Sequence, residues 1–79
     1  MPNPMDPATE GRLIAQRQVI AMIAAGKTAA ELVDWLETGL RDGQEDPGAL
    51  DDSEAFAIEA ALAAEREALA REIRLRAGL

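Results

Sequence analysis

The sequence predicts an all-α fold of three helices, a short helical hairpin packed against a longer C-terminal helix. Three observations lead there. Apolar residues recur at helical spacing in three separate stretches. Residues that favour helix ends open or close each stretch. In the last stretch acids gather at the start and arginines at the end, the polarity that the helix macrodipole favours.

The opening Met1-Pro2-Asn3-Pro4-Met5-Asp6-Pro7 carries three prolines in seven residues and reads as a loose arm, because proline removes donors and biases its predecessor toward extended backbone. From there to about residue 25 the pattern is helical. Leu13, Ile20 and Ile23 fall on one stripe, with Ile14, Val19 and Met22 widening it. Thr9 is a candidate cap for the start, and Pro7 in the first turn is the alternative. Gly26 stands where a left-handed residue would end the helix.

Thr28-Ala29-Ala30-Glu31 is a capping box, so a second helix is expected over 29–40. Its stripe is Ala29, Leu32, Val33, Leu36 and Leu40, closed by Gly39 and Gly43. Only Lys27 separates the Gly26 stop from the Thr28 start, which forces a sharp turn. Residues 41–50, with two glycines and a proline, read as an acidic loop. Asp51, Asp52 and Ser53 are caps for a third helix over 52–77. Its seam is Ile58, Leu62, Leu69 and Ile73, with Phe56 near its start. At about 1.5 Å per residue the three helices measure roughly 26, 18 and 39 Å, so the third outruns its partners. Its many alanines offer a flat surface that a second helix can approach closely. Self-association through Ile58, Leu62, Leu69 and Ile73 is therefore expected, and the chain is expected to form a homo-oligomer.

Composition narrows the function. A chain of 79 residues buries only about 60% of the surface that it exposes when unfolded, and with aromatics at 3% its core is thin. There is no cysteine, histidine or tyrosine, and Ser53 is the single serine. Disulfide staples, the usual zinc clusters, thiol nucleophiles and the commonest general base are thereby excluded. No enzyme activity and no cofactor is expected. The opening lacks the basic start and apolar stretch of a signal peptide, and no run approaches the roughly 20 apolar residues that span a bilayer. No membrane association is expected, and a cytoplasmic location is.

Charge is segregated. The formal net charge is −7, and residues 31–59 carry ten acids against Arg41 alone, while the segments on either side are slightly positive. Such a field repels phosphate backbones, which disfavours direct nucleic-acid binding. It attracts a basic surface, although charge runs more often serve solubility.

Three motifs fail on their physics. Ala21 to Thr28 fits a relaxed phosphate-loop pattern, but it continues an amphipathic helix and lacks the preceding strand and glycine-rich turn. A calcium loop starting at Asp42 would need glycine where Pro47 stands and a bidentate acid where Ser53 stands. Asp51 and Asp52 point to different sides of a helix start, which suits caps rather than an acid/base pair.

Ile20 to Leu36, an apolar helix, the Gly26-Lys27-Thr28 turn and a second helix start, resembles the first half of a helix-turn-helix. That resemblance implies a DNA-binding skeleton. The following segment departs from it, because an acidic loop leads to Ser53-Glu54-Ala55-Phe56 instead of a basic recognition helix.

The expected function is a non-enzymatic protein–protein interaction module, a regulatory or assembly subunit whose partner is another protein with a basic or apolar docking surface. Trp35, Leu36 and Leu40 beside Asp34 and Glu37 form the expected partner face, with Trp35 either core or hot spot. The alternatives are an oligomeric nucleic-acid-associated factor, such as a phage-type regulator or packaging subunit, and an acidic inhibitor of a nucleic-acid-binding protein.

Overall fold

The computed structural model describes residues 5–42 and 53–79, of which 40–42 by their backbone alone. The described chain forms three helices, α1 (Pro7–Ala24), α2 (Ala29–Asp42) and α3 (Ser53–Ala77), and both α1 and α2 pack on α3. The expected all-α architecture is thus the observed one. Met1 to Pro4 of the expected arm, most of the expected loop and the caps Asp51 and Asp52 lie outside the described residues.

Local chemistry explains the helix ends. Asp6, not Thr9, caps α1: its carboxylate accepts from the Thr9 N–H at 2.7 Å and from the Thr9 hydroxyl at 3.2 Å. Pro7 then takes the first helical position, where its missing N–H costs nothing. At the other end Gly26 adopts φ +92°, the Gly26 N–H donates to Ile23 O at 2.9 Å and the Lys27 N–H donates to Met22 O at 3.0 Å. This is the paired closure of a left-handed glycine stop. One residue later the capping box closes as expected. The Thr28 N–H donates to Glu31 Oε1 at 2.8 Å, and the Glu31 N–H donates to Thr28 Oγ1 at 3.1 Å.

The second helix runs through Gly39 to Asp42, two residues beyond the expected end, so it takes in the first two residues of the loop expected over 41–50. A helical glycine costs only about 1 kcal/mol against alanine, too little to stop a helix that is otherwise supported. Gly39 lies instead beside the Arg66 side chain, and a Cβ there would stand 2.9 Å from Arg66 Nη1.

The core lies where the three helices converge. Val19, Leu32, Leu36 and Ala70 form its buried cluster, and Met22, Trp35, Leu69 and Ile73 pack against it. The α2 stripe Leu32, Val33 and Leu36 is buried as expected. The α1 stripe is corrected. Ile20 and Ile23 are 64% and 57% exposed, while Gly11, Ala15 and Val19 are buried. The reason is steric: a Cβ on Gly11 would stand 2.9 Å from both Ala61 Cβ and Leu62 N, so α1 approaches α3 more closely than a leucine or isoleucine stripe would permit.

The helices alternate in direction. Gln16 Nε2 donates to Glu65 Oε2 at 2.8 Å, and Arg66 Nη2 donates to Gln18 Oε1 at 2.9 Å, rungs 49 and 48 residues apart that fit parallel α1 and α3. The second helix runs the other way, for Ala29 at its start shares a groove with Ile73 and Ala77, whereas Gly39 near its end abuts Arg66.

Candidate functional site

Two consequences of this packing create a groove. The single residue between the Gly26 stop and the Thr28 cap makes α1 and α2 diverge at once, and α3 extends beneath their junction. Between them lies an open groove of about 550 Å³. Its apolar floor includes Val19 and Ile23 of α1, Leu32 of α2 and Leu69 and Ile73 of α3, and Lys27, Glu72 and Arg76 contribute charge. Arg76 Nε donates to Glu72 Oε1 at 2.9 Å on the α3 side. Val19 and Leu32 are almost fully buried and belong to the core as well, whereas Ile23 stands more than half exposed. The lining holds no hydroxyl, thiol or imidazole, so what it offers chemically is hydrocarbon contact within reach of charges of both signs.

The expected partner face is divided between inside and outside, with Leu36 buried, Trp35 and Glu37 half-buried and Asp34 exposed. Leu36 is 0% exposed and belongs to the core, as its place in the expected α2 stripe implies, so its side chain is covered within the chain itself. It points inward because the buried Leu32–Val33–Leu36 stripe runs through its position. Trp35 lies beside that stripe, half-buried against the cluster. The Arg66 guanidinium covers its ring at 4.7 Å from the centroid, a cation–π arrangement. Glu37 is gripped by Arg74 through two hydrogen bonds of 2.9 Å each, and that grip, with the Glu37 charge, holds the Arg74 guanidinium above its ordinary pKa. Asp34 is exposed, and it lines with Ala30, Val33, Glu37, Arg74 and Leu79 a smaller hollow of about 200 Å³. The Leu40 side chain lies outside the described residues.

The residues of the expected self-association seam are partly covered within the chain. Ile58, Leu62, Leu69 and Ile73 are each half-buried, with the backbone of Ile58 and Leu62 against Gly11 and the Leu69 and Ile73 side chains on the core cluster. Phe56 and Leu75 are the large apolar side chains that α3 leaves exposed, at 56% and 77%.

Two carboxylates serve the helix starts. Hydrogen bonding from the Thr9 N–H, chiefly, holds Asp6 below its ordinary pKa, and bonding from the Thr28 N–H and hydroxyl does the same for Glu31. Both are structural caps. Among the described residues no group of three potential metal ligands comes together, and no helix is long and apolar enough to cross a membrane.

Sequence reasoning missed Gly11, Ala15, Gln18 and Arg66. The four-residue spacing of Gly11, Ala15 and Val19 was the available signal for the tight α1–α3 contact. No family model matches the chain, and neither the curated proteins nor the solved structures give a significant match.

Proposed function

We propose that this chain is a small non-enzymatic interaction module, a regulatory or assembly subunit that docks the apolar side of another protein's helix in the groove at the α1–α2 junction. One observation carries this reading. A floor of Val19, Leu32, Leu69 and Ile73 opens to the surface beside Ile23, which keeps 57% of its surface accessible although it lies next to the core. Occupying that groove with a helix would remove apolar surface from water, at roughly 25 cal/mol per Å² before the costs of association. The rim charges Lys27, Glu72 and Arg76 would set orientation more than strength. The acidic segment 31–59 would speed encounter with a basic surface.

Affinity purification from the native cell tests the proposal when three baits are compared: the parent, Ile23→Lys in the groove, and Leu75→Lys on the outer face of α3. Both positions are exposed, so neither change should unfold the chain. A stoichiometric protein held by the parent and by Leu75→Lys, and lost by about tenfold or more with Ile23→Lys, is the expected result, the loss corresponding to about 1.4 kcal/mol. Equal retention by all three baits, or loss with Leu75→Lys alone, contradicts the groove. A second copy of this chain retained through Leu75 would return the docking role to α3.

A further inference from the structure

The third helix turns different sides to its neighbours. Ala61 and Glu65 meet α1 at Gly11 and Gln16, and Arg66 and Arg74 reach Trp35 and Glu37 of α2. A further side faces water. Ala60, Ala64, Glu67, Arg71 and Leu75 follow one another there at intervals of four and three, the spacing of a single helix face, and all five are exposed, Leu75 at 77%. The α1–α2 groove uses Leu69, Ile73 and Arg76 of α3, none of which belongs to this face. We propose that the face is a contact between two copies of the chain, their third helices antiparallel, with Glu67 of each opposite Arg71 of the other.

Charge selects this occupant and this direction. Within one chain Arg71 Nη1 stands 3.7 Å from Glu67 Oε2, the side chains 70% and 63% exposed, and an ion pair so open to water contributes little. In the antiparallel pair the two glutamates and two arginines meet crosswise, on a surface that the contact removes from water and where opposite charges attract more strongly. The ends of α3 agree. Glu54 and Glu59 lie toward its start, and Arg71, Arg74 and Arg76 toward its end, so an antiparallel copy lays an acidic start over a basic end, whereas a parallel copy sets acid on acid. Because α1 runs parallel to α3, Asp6 and Glu10 stand at the same end as Glu54 and Glu59. Antiparallel pairing keeps the two acidic ends farther apart than the Debye length of about 8 Å at physiological salt.

Shape fits the same register. With Glu67 opposite Arg71, Leu75 of each copy falls opposite Ala63 of the other. Ala60, Ala63, Ala64 and Glu67 there make a four-residue hole of the kind that receives a knob in paired helices. Its three alanines are exposed and small enough for the helices to close on one another. Behind Leu75 the chain turns at Gly78, φ +72°, and the Leu79 N–H donates to Arg74 O at 2.9 Å. Leu79 is thereby folded back, and the two leucines line with Ala68 and Arg71 a hollow of about 610 Å³ that widens the apolar end of the face. A contact along one helix face falls short of the roughly 800 Å² per partner of a standard interface. The dimer therefore forms at high concentration and leaves the groove open to its own partner.

Sedimentation equilibrium of the pure chain at about 100 μM, the range of a small interface, tests this. The parent should show twice the 8.4 kDa of one chain. Glu67→Arg and Arg71→Glu each set like charges opposite one another and should weaken assembly by about tenfold or more. Leu75→Lys should leave monomer. The double variant, Glu67→Arg with Arg71→Glu, should return assembly to within about threefold of the parent. Each position is exposed, so circular dichroism should show every variant as helical as the parent. A parent that stays monomeric overturns the proposal, as does a dimer that survives the single reversals or that the double variant fails to restore. A dimer lost with Ile23→Lys and kept with Leu75→Lys also overturns it and moves self-association to the groove.

Discussion

Gly11 and Ala61 meet so closely that a Cβ on the glycine would stand 2.9 Å from the Cβ of the alanine. The Ile58 carbonyl and the Leu62 nitrogen close the same space, so no rotamer change can make room and α1 itself would have to move. Gly11→Ala sets two effects against each other. Alanine gains up to about 1 kcal/mol of helix propensity, while overpacking at a rigid backbone contact costs about 1–3 kcal/mol. The clash should prevail, and the urea midpoint of Gly11→Ala should fall. A midpoint that rises would show that the contact is looser than described.

Leu36 and Ile20 test which apolar residues carry the core. At 0% exposure Leu36 has no contact with water, and Leu36→Ala should cost about 2–5 kcal/mol. A domain of this length has only about 4–12 kcal/mol in total, so that variant should melt far below the parent or fail to fold. Ile20 is 64% exposed, and Ile20→Gln should change stability by less than about 0.5 kcal/mol. Thermal melts followed by circular dichroism separate the two. Similar losses at both positions would restore the wider α1 stripe read from periodicity.

Acid should loosen the helix starts first. Asp6 and Glu31 both titrate below their ordinary values because cap N–H groups hold the charged form. Groups depressed in the folded state contribute stability that is complete above the ordinary carboxylate range and is lost as pH falls through the lowered values. The urea midpoint should therefore be flat from neutral pH down to that range and then decline. Glu31→Gln keeps a cap acceptor without the titration, and its decline should be shallower. Identical profiles would remove Glu31 from the effect.

Trp35 reports on its own cover. Half-buried on the core and lying under Arg66, it should emit to the blue of indole in water and shift toward that emission when urea unfolds the chain. Emission that does not move on unfolding would mean that the ring is exposed in the native state.

Much of this architecture was legible because its signals are local. The Gly26 stop and the Thr28–Glu31 box each lie within a few residues and satisfy their own backbone groups, so no tertiary knowledge is needed to read them. The buried face of α1 was not legible by the same means. Periodicity gives weight to large side chains and so favours Ile20 and Ile23, whereas the contact was decided by the absence of a side chain at Gly11, which matters only once α3 lies opposite. Arg66 escaped notice for a similar reason, since Gln18, Trp35 and Gly39 come from two other helices. Trp35 was open between core and surface in the sequence, and its position beside the buried stripe under a guanidinium draws on both. Leu36 was read both as part of the buried stripe and as part of a partner face, and apolar content alone does not say which side of a stripe remains uncovered; its full burial fits the stripe.

Amide hydrogen exchange of the chain, alone and saturated with the protein that the parent bait retains, tests the docking assignment most directly. Slowed exchange concentrated in residues 19–29 and 69–77, the two walls of the groove, is the predicted footprint. Protection confined to residues 33–39 with both walls unchanged would contradict it and place the contact on the Trp35 side of α2.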